Sequence, residues 1–369
     1  MARSRATGTG EIPGMAEKQI DPAPLVRRGR SPGAGWSRVA RGLHRSGGLG
    51  LLGDLHAWSA VLRPTAAFTH LTAAQVRGWW LPPLPEDLPV WVTQTMAQNA
   101  STRSGLVVIR RRGIPWYDHV GGLRVSTAAE TLVTCAIDLG LLDLVVLIDA
   151  ALHQGDVTIA ELEEVARQHR RGAPRLREAM PYVEGRSESA WETLLRVLHV
   201  ICGIEVEPQK ELFTADGSFV ARADLWLVGT ERFHEYDGDD HLERRRRRKD
   251  LKRDGRIGRA DLERRGYTSA DVLTQGVSIL RDADEAIGRE HDLARIRPWN
   301  DLLRESLFTP SGRRGSADGS GSRGRRSRQQ MTWAPDGRPG HRPTHLFFPP
   351  PASHRQQPHR QRPADSQNP

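Results

Sequence analysis

Asp224 lies in the run Ala223-Asp224-Leu225, an apolar setting where an ionised carboxylate is costly unless it is paired or bound to a cation. Eleven residues later the chain reads Glu235-Tyr236-Asp237-Gly238. In an extended strand Glu235 and Asp237 project to one face, because side chains alternate with a period of two. A turn at Gly229-Thr230 pairs the two segments as a hairpin and brings that face beside Asp224. Like charges held so close repel, so the cluster is costly unless a cation neutralises it. All-oxygen ligands with open positions favour Mg2+ or Mn2+ over Zn2+. A metal held in this way activates a water and clamps a phosphate, which is the chemistry of phosphodiester hydrolysis. Glu192, or Glu188 one turn earlier, reaches the same metal or its water from the preceding helix. Glu192, Asp224, Glu235 and Asp237 are thus the candidate catalytic residues, and the last three the candidate metal ligands.

Each of these residues also has a plainer reading. An isolated Asp at a strand end more often caps a turn; the adjacent Glu-x-Asp-Gly and the upstream Glu192 favour the site. The basic run at 244–249 either grips phosphates through Arg245, Arg248 and Lys249 or is a solvated helix face. His241 is a supporting donor or a surface residue, since hard oxygen sites seldom need imidazole. His234 alternates away from Glu235. Trp79 and Trp80 can stack bases, but beside Pro82-Pro83 their spacing fits core residues.

The elements that position these side chains follow from apolar spacing. Residues 187–200 read as a helix with Leu194, Leu195, Val197 and Leu198 facing inward and Glu188 and Glu192 together on one side. Strands are expected at 205–212, 220–228 and 231–236, then a charged helix over 242–263 weakened by Gly255 and Gly258, then a strand and turn over 266–273. The order α-β-β-β-α-β describes an α+β unit over 185–285, a mixed sheet flanked by helices. Upstream, the spacing predicts helices at 55–62, 69–80, 126–136, 141–152 and 158–169, with short strands at 36–45, 90–93 and 106–110. The 36–175 region therefore reads as mainly helical.

A formal charge of +9 and a pI near 10.3 invite a nucleic-acid reading until the charges are located. From residue 310 onward there are eleven Arg, no Lys and three Asp, about +8, and residues 1–60 add about +5. The stretch between is slightly acidic, about −4. Residues 1–35 and 308–369 are rich in Gly, Pro, Ser and Arg without apolar period, and disorder is expected for both. Cys135 and Cys202 lack any CxxC spacing, so neither a zinc site nor a disulfide framework is indicated. The amino-terminal stretch has no apolar h-region, and Asp143 and Asp149 interrupt the longest apolar run. A soluble cytoplasmic protein is the expectation, with no membrane partner.

Several segments taken together resemble a known group. Ser189-Ala190-Trp191-Glu192-Thr193-Leu194-Leu195-Arg196, then Glu207-Pro208-Gln209, Ala223-Asp224-Leu225 and His234-Glu235-Tyr236-Asp237-Gly238 with His241 are similar to the PD-(D/E)XK nuclease superfamily, in its branch resembling very-short-patch-repair endonucleases. Lys249-Asp250, Arg253 and Gly266-Tyr267 continue the likeness, which spans about 95 residues. The resemblance implies a restriction-endonuclease-like mixed sheet, Mg2+ (or Mn2+) on Asp224 and Glu235, and the helical glutamate at Glu192. The superfamily pattern has a water-orienting Lys two positions after the second ligand. Here that position is Asp237, so turnover would require Asp237 as a further ligand or a cation from elsewhere, such as Lys249. Upstream, THLTAAQVRGWWLPP and RVSTAAETLVTCAIDL resemble the region ahead of such nuclease domains in proteins likened to the AbiEi type of antitoxin, with 36–45 as the remnant of a winged helix.

Two functions follow as expectations. The first is a metal-dependent DNA endonuclease. The second is a DNA-associated or antitoxin-like regulator that keeps the nuclease fold without turnover and has a toxin-like protein as partner.

Overall fold

A computed structural model describes residues 25–30, 33–47, 50–85, 87–214, 216–238, 257 and 261–314, all within one compact unit, 1–321. The chain begins with three short strands, β1 (Leu25–Arg28), β2 (Ser37–Ala40) and β3 (Leu43–Ser46), in the antiparallel order β1-β3-β2. The helix α1 (Leu51–Ser59) packs its buried Leu55, Ala57 and Trp58 with Leu43 of β3 in a small core. β1 corrects the expectation of disorder through residue 35: Val26 packs against that core. Its single apolar contact among arginines is too short a signal for periodicity to show.

A five-stranded sheet follows, built from β4 (Ala67–Phe68), β5 (Val90–Thr95), β6 (Leu106–Arg111), β7 (Tyr117–Val120) and β8 (Leu123–Ser126), with α2 (His70–Arg77) inserted after β4. The order is β6-β5-β4-β8-β7; the β5/β6 and β4/β8 pairs are parallel and the β4/β5 and β7/β8 pairs antiparallel. The first part of the 36–175 region is therefore organised around two sheets, and its helical character lies in α1, α2 and the stretch after residue 127. There come α3 (Ala128–Cys135), α4 (Leu141–His153), α5 (Ile159–Ala166) and α6 (Ala173–Ala179). α4 is apolar on all sides apart from Asp143, Asp149 and its last residue His153, and it is buried accordingly. A Thr158–Glu161 capping box starts α5.

The element α7 (Ala190–Ile201) carries Leu194, Leu195, Val197 and Leu198 into the main core and packs on α4 and on a four-stranded sheet. That sheet consists of β9 (Val206–Phe213), β10 (Phe219–Leu227), β11 (Arg232–Tyr236) and β12 (Glu263–Tyr267), in the order β12-β11-β10-β9. The first three strands form an antiparallel meander, and β12 runs parallel to β11. Three α-helices follow, α8 (Ser269–Thr274), α9 (Gly276–Ala286) and α10 (Arg297–Glu305), and residues 310–314 at the end of the described chain are also helical. The molecule is a mixed α/β structure of open sheets and helices.

Two further expectations need correction. Glu263 opens a strand instead of closing a helix; most of the 242–263 segment lies outside the described residues. Residues 308–314 are packed: Phe308 is buried in the main core, and the Leu307 N–H and Ser306 hydroxyl both bind Asp143 of α4. The main core also runs across 175–185, joining α3–α6 to α7, α9 and α10. Cys135 and Cys202 are free and buried. Among the described residues no helix is long and apolar enough to cross a membrane.

Candidate active site

The start of α7 sets Glu192. The Ser189 hydroxyl accepts the Glu192 N–H at 3.2 Å and donates to Glu192 Oε1 at 2.9 Å, capping the helix. The Glu188 N–H donates to Glu192 Oε2 at 2.8 Å, and Gln209 Nε2 of β9 donates to the same oxygen at 2.9 Å. Glu192 is only 9% exposed, and burial raises its pKa against these donors. Gln209 adopts a left-handed backbone at φ 55°, uncommon for a non-glycine residue, and its Oε1 is buried without a hydrogen-bond partner among the described residues. Glu192 is thus tied to the helix start and to β9.

The hairpin places the other carboxylates as the alternation requires. Leu225 pairs with His234 across β10 and β11, so Asp224 falls opposite Glu235. Asp224 Oδ2 accepts the Tyr236 N–H at 3.0 Å. Glu235 is 3% exposed, and Asp237 lies just past the end of β11, its N–H bonded to the Tyr267 carbonyl. Arg264 of β12 joins these two carboxylates: Nε donates to Glu235 Oε2 and Nη2 to Asp237 Oδ1. Gly266, opposite Glu235 in the parallel pairing, is a close-packing requirement, since a Cβ there would lie 1.8 Å from Asp237 Oδ2.

Sequence reasoning missed Arg264 and the role of Gly266. Gly266-Tyr267 marked the end of the motif series, and counting back two residues along a strand parallel to β11 reaches Arg264. That count requires knowing that the strand starts at Glu263.

His234 points to the opposite face of β11, as the alternation predicts, and joins a buried polar line. His199 Nδ1 donates to the Leu195 carbonyl at 2.7 Å, so its Nε2 accepts from His234 Nδ1 at 2.8 Å. His234 Nε2 lies 2.8 Å from Asp282 Oδ2. Burial, then His234, push the His199 pKa down to about 3. This line ties α7, β11 and α9 together behind the carboxylates, and Arg232 bonds to Asp282 beside it.

Arg245, Arg248, Lys249 and His241 lie outside the described residues. The donor chemistry on the β10–β11 hairpin suits a hard divalent cation: the candidate ligands are all carboxylates, and Glu235 and Asp237 already hold a cationic group between them. Among the described residues, however, no three His, Cys, Asp or Glu side chains are grouped to hold a metal ion. A metal on Glu235 and Asp237 must therefore displace Arg264, whose side chain is 30% exposed and has solvent to move into. No family model, no curated protein and no solved structure matches the chain.

Proposed function

We propose that the protein is a metal-dependent, cytoplasmic DNA endonuclease that hydrolyses phosphodiester bonds at the carboxylates of the β10–β11 hairpin. One observation carries this reading: Glu235 and Asp237, two residues apart on one face with Asp224 opposite Glu235, act as a cation-binding pair, with a guanidinium between them. Asp224, Glu235 and Asp237 would hold Mg2+ or Mn2+, which supplies charge neutralisation and an activated water when bound. Arg264, once displaced, is within reach of a phosphate in the same place, where its planar fork binds two oxygens at once. It supplies the positive charge that a Lys at position 237 would bring. Glu192 acts through Gln209, holding that amide at the start of α7.

The same bridge favours a second reading. Arg264 bridges Glu235 and Asp237 and offsets one of their two charges without any metal, which suits a DNA-associated regulator that keeps the fold, does not turn over and binds a toxin-like protein.

Nicking of supercoiled plasmid by the full chain in Mn2+ or Mg2+, beside Asp224→Ala and Glu235→Ala, separates the two. Loss of nicking in both variants supports the endonuclease. A folded wild-type protein that binds Mn2+ by electron paramagnetic resonance yet leaves the plasmid intact supports the regulator.

A further inference from the structure

The loop between β6 and β7 holds its apolar side chains out into solvent. Ile114 is 67% and Trp116 77% exposed, whereas Pro115 between them is buried and pins the loop. Gly113, at φ 76°, makes the turn that leads into it. Ile114, Pro115, Trp116, Tyr117 and Thr127 line an open cavity of about 630 Å3, within the range of about 300–1,000 Å3 usual for ligand clefts. Thr127 precedes α3, and its hydroxyl makes no capping bond.

Charge decides what such a surface suits. Residues 103–124 contain five arginines against one carboxylate, Asp118, in a stretch of chain that is otherwise acidic. Asp118 is taken by Arg77, and Arg111 pairs with Glu130 at 2.6 Å. Among the described residues Arg112 and Arg124, near the loop, have no carboxylate partner, whereas Arg110 Nη2 is bonded to the Met96 and Gln98 carbonyls. Arg124 stacks over Tyr117 at 4.8 Å, and Tyr117 meets His119 edge-on at 5.3 Å. A protein partner's apolar face would leave these guanidiniums unpaired at its rim. A nucleic-acid strand meets both needs, because every base has a π-face and every phosphate a negative charge.

We infer that the 112–116 loop, with Tyr117 and Arg124, is a docking ledge for single-stranded nucleic acid: a base stacks on the Trp116 indole and an adjoining phosphate meets Arg112. The ledge lies on a different sheet from the carboxylates and needs neither metal nor hydrolysis, so it extends the proposed DNA partnership without depending on cleavage.

The test is fluorescence anisotropy of a labelled 15-nucleotide oligothymidylate and of a duplex with the full chain in EDTA, over a series of salt concentrations. EDTA removes cleavage, so failure of the ledge is distinct from failure of the endonuclease. Trp116→Ala is expected to weaken single-strand binding about 5- to 100-fold, with Trp116→Phe retaining most of it and duplex binding unchanged. Arg112→Ala should lower the logarithmic salt slope for the single strand by about 0.7. Wild-type affinity in Trp116→Ala, or an equal loss on duplex, overturns the proposal. So does a self-association seen by sedimentation that Trp116→Ala abolishes without changing oligonucleotide affinity, which makes the loop a protein interface.

Discussion

Arg196 and Arg264 both hold a carboxylate, one inside the helical layer and the other at the edge of the four-stranded sheet. Arg196 Nη2 meets Asp149 Oδ2 at 2.8 Å with side-chain exposures of 4% and 0%, and the Thr193 hydroxyl and Glu184 N–H complete the carboxylate's bonds. The same guanidinium reaches the Tyr182 carbonyl, so α4, α7 and the segment between them are joined at one point. Arg264 bridges two carboxylates instead of one, and both it and Asp237 are open to water. The inner pair is closed off from water, with both Asp149 oxygens bonded, although Arg196 Nε has no hydrogen-bond partner among the described residues. The outer one is a cation held where other cations can compete for it.

The largest expected effect follows from the inner pair. Arg196→Ala strands Asp149 in the core, at a cost of about 3–5 kcal/mol, read as a lower midpoint in urea denaturation. A loss below about 1 kcal/mol, the value for an exposed pair, would erase the distinction between the two sites.

The pH response sharpens it next. Burial pushes the Asp143 pKa up to about 6, against the bonds from Ser306 and Leu307. A folded-state value raised above the unfolded one means stability that is fully present below about pH 4 and is lost as pH rises through 6. The shift corresponds to about 3 kcal/mol. Asp143→Asn, which does not ionise, should flatten the stability profile between pH 4 and 6 relative to wild type; an unchanged slope would show that Asp143 does not titrate there.

These two regions also differ in how far the sequence reveals them. α4 and α7 are legible because their apolar residues recur at helical spacing, and the hairpin β10–β11 because its alternation flanks Gly229-Thr230. That was enough to bring the Glu235 and Asp237 face beside Asp224, while the register that sets Asp224 opposite Glu235 is seen only in the structure. The strand Glu263-Arg264-Arg265-Gly266-Tyr267 has no apolar alternation of its own; it exists through parallel pairing with β11, a tertiary fact. Arg264 was therefore invisible as a site residue. The β7–β8 hairpin has a readable mark, Gly121-Gly122 with both φ positive, which apolar spacing alone passes over. β4, two residues long, is below any periodic signal.

Gly266→Ala tests the packing that aims Asp237. Its new Cβ would collide with Asp237 Oδ2, and the carboxylate must rotate away from Arg264. Overpacking of this kind costs about 1–3 kcal/mol, and Mn2+ binding should fall with it if Asp237 is a ligand. Unchanged Mn2+ affinity in a destabilised Gly266→Ala protein would remove Asp237 from the ligand set.

Arg264→Ala carries the smallest stability effect and the most telling one. The guanidinium is 30% exposed, so solvent screens much of what it contributes, and a loss of about 1 kcal/mol is expected in EDTA. The two carboxylates are then left without this cation, and a divalent ion binding there stabilises the folded state by mass action. Added Mn2+ should restore the melting temperature of Arg264→Ala and bind it more tightly than wild type, whereas it should leave Arg196→Ala unaffected. If Mn2+ rescues neither variant, the outer pair is as closed to exchange as the inner one, and Arg264 is a structural tie in a regulator's fold.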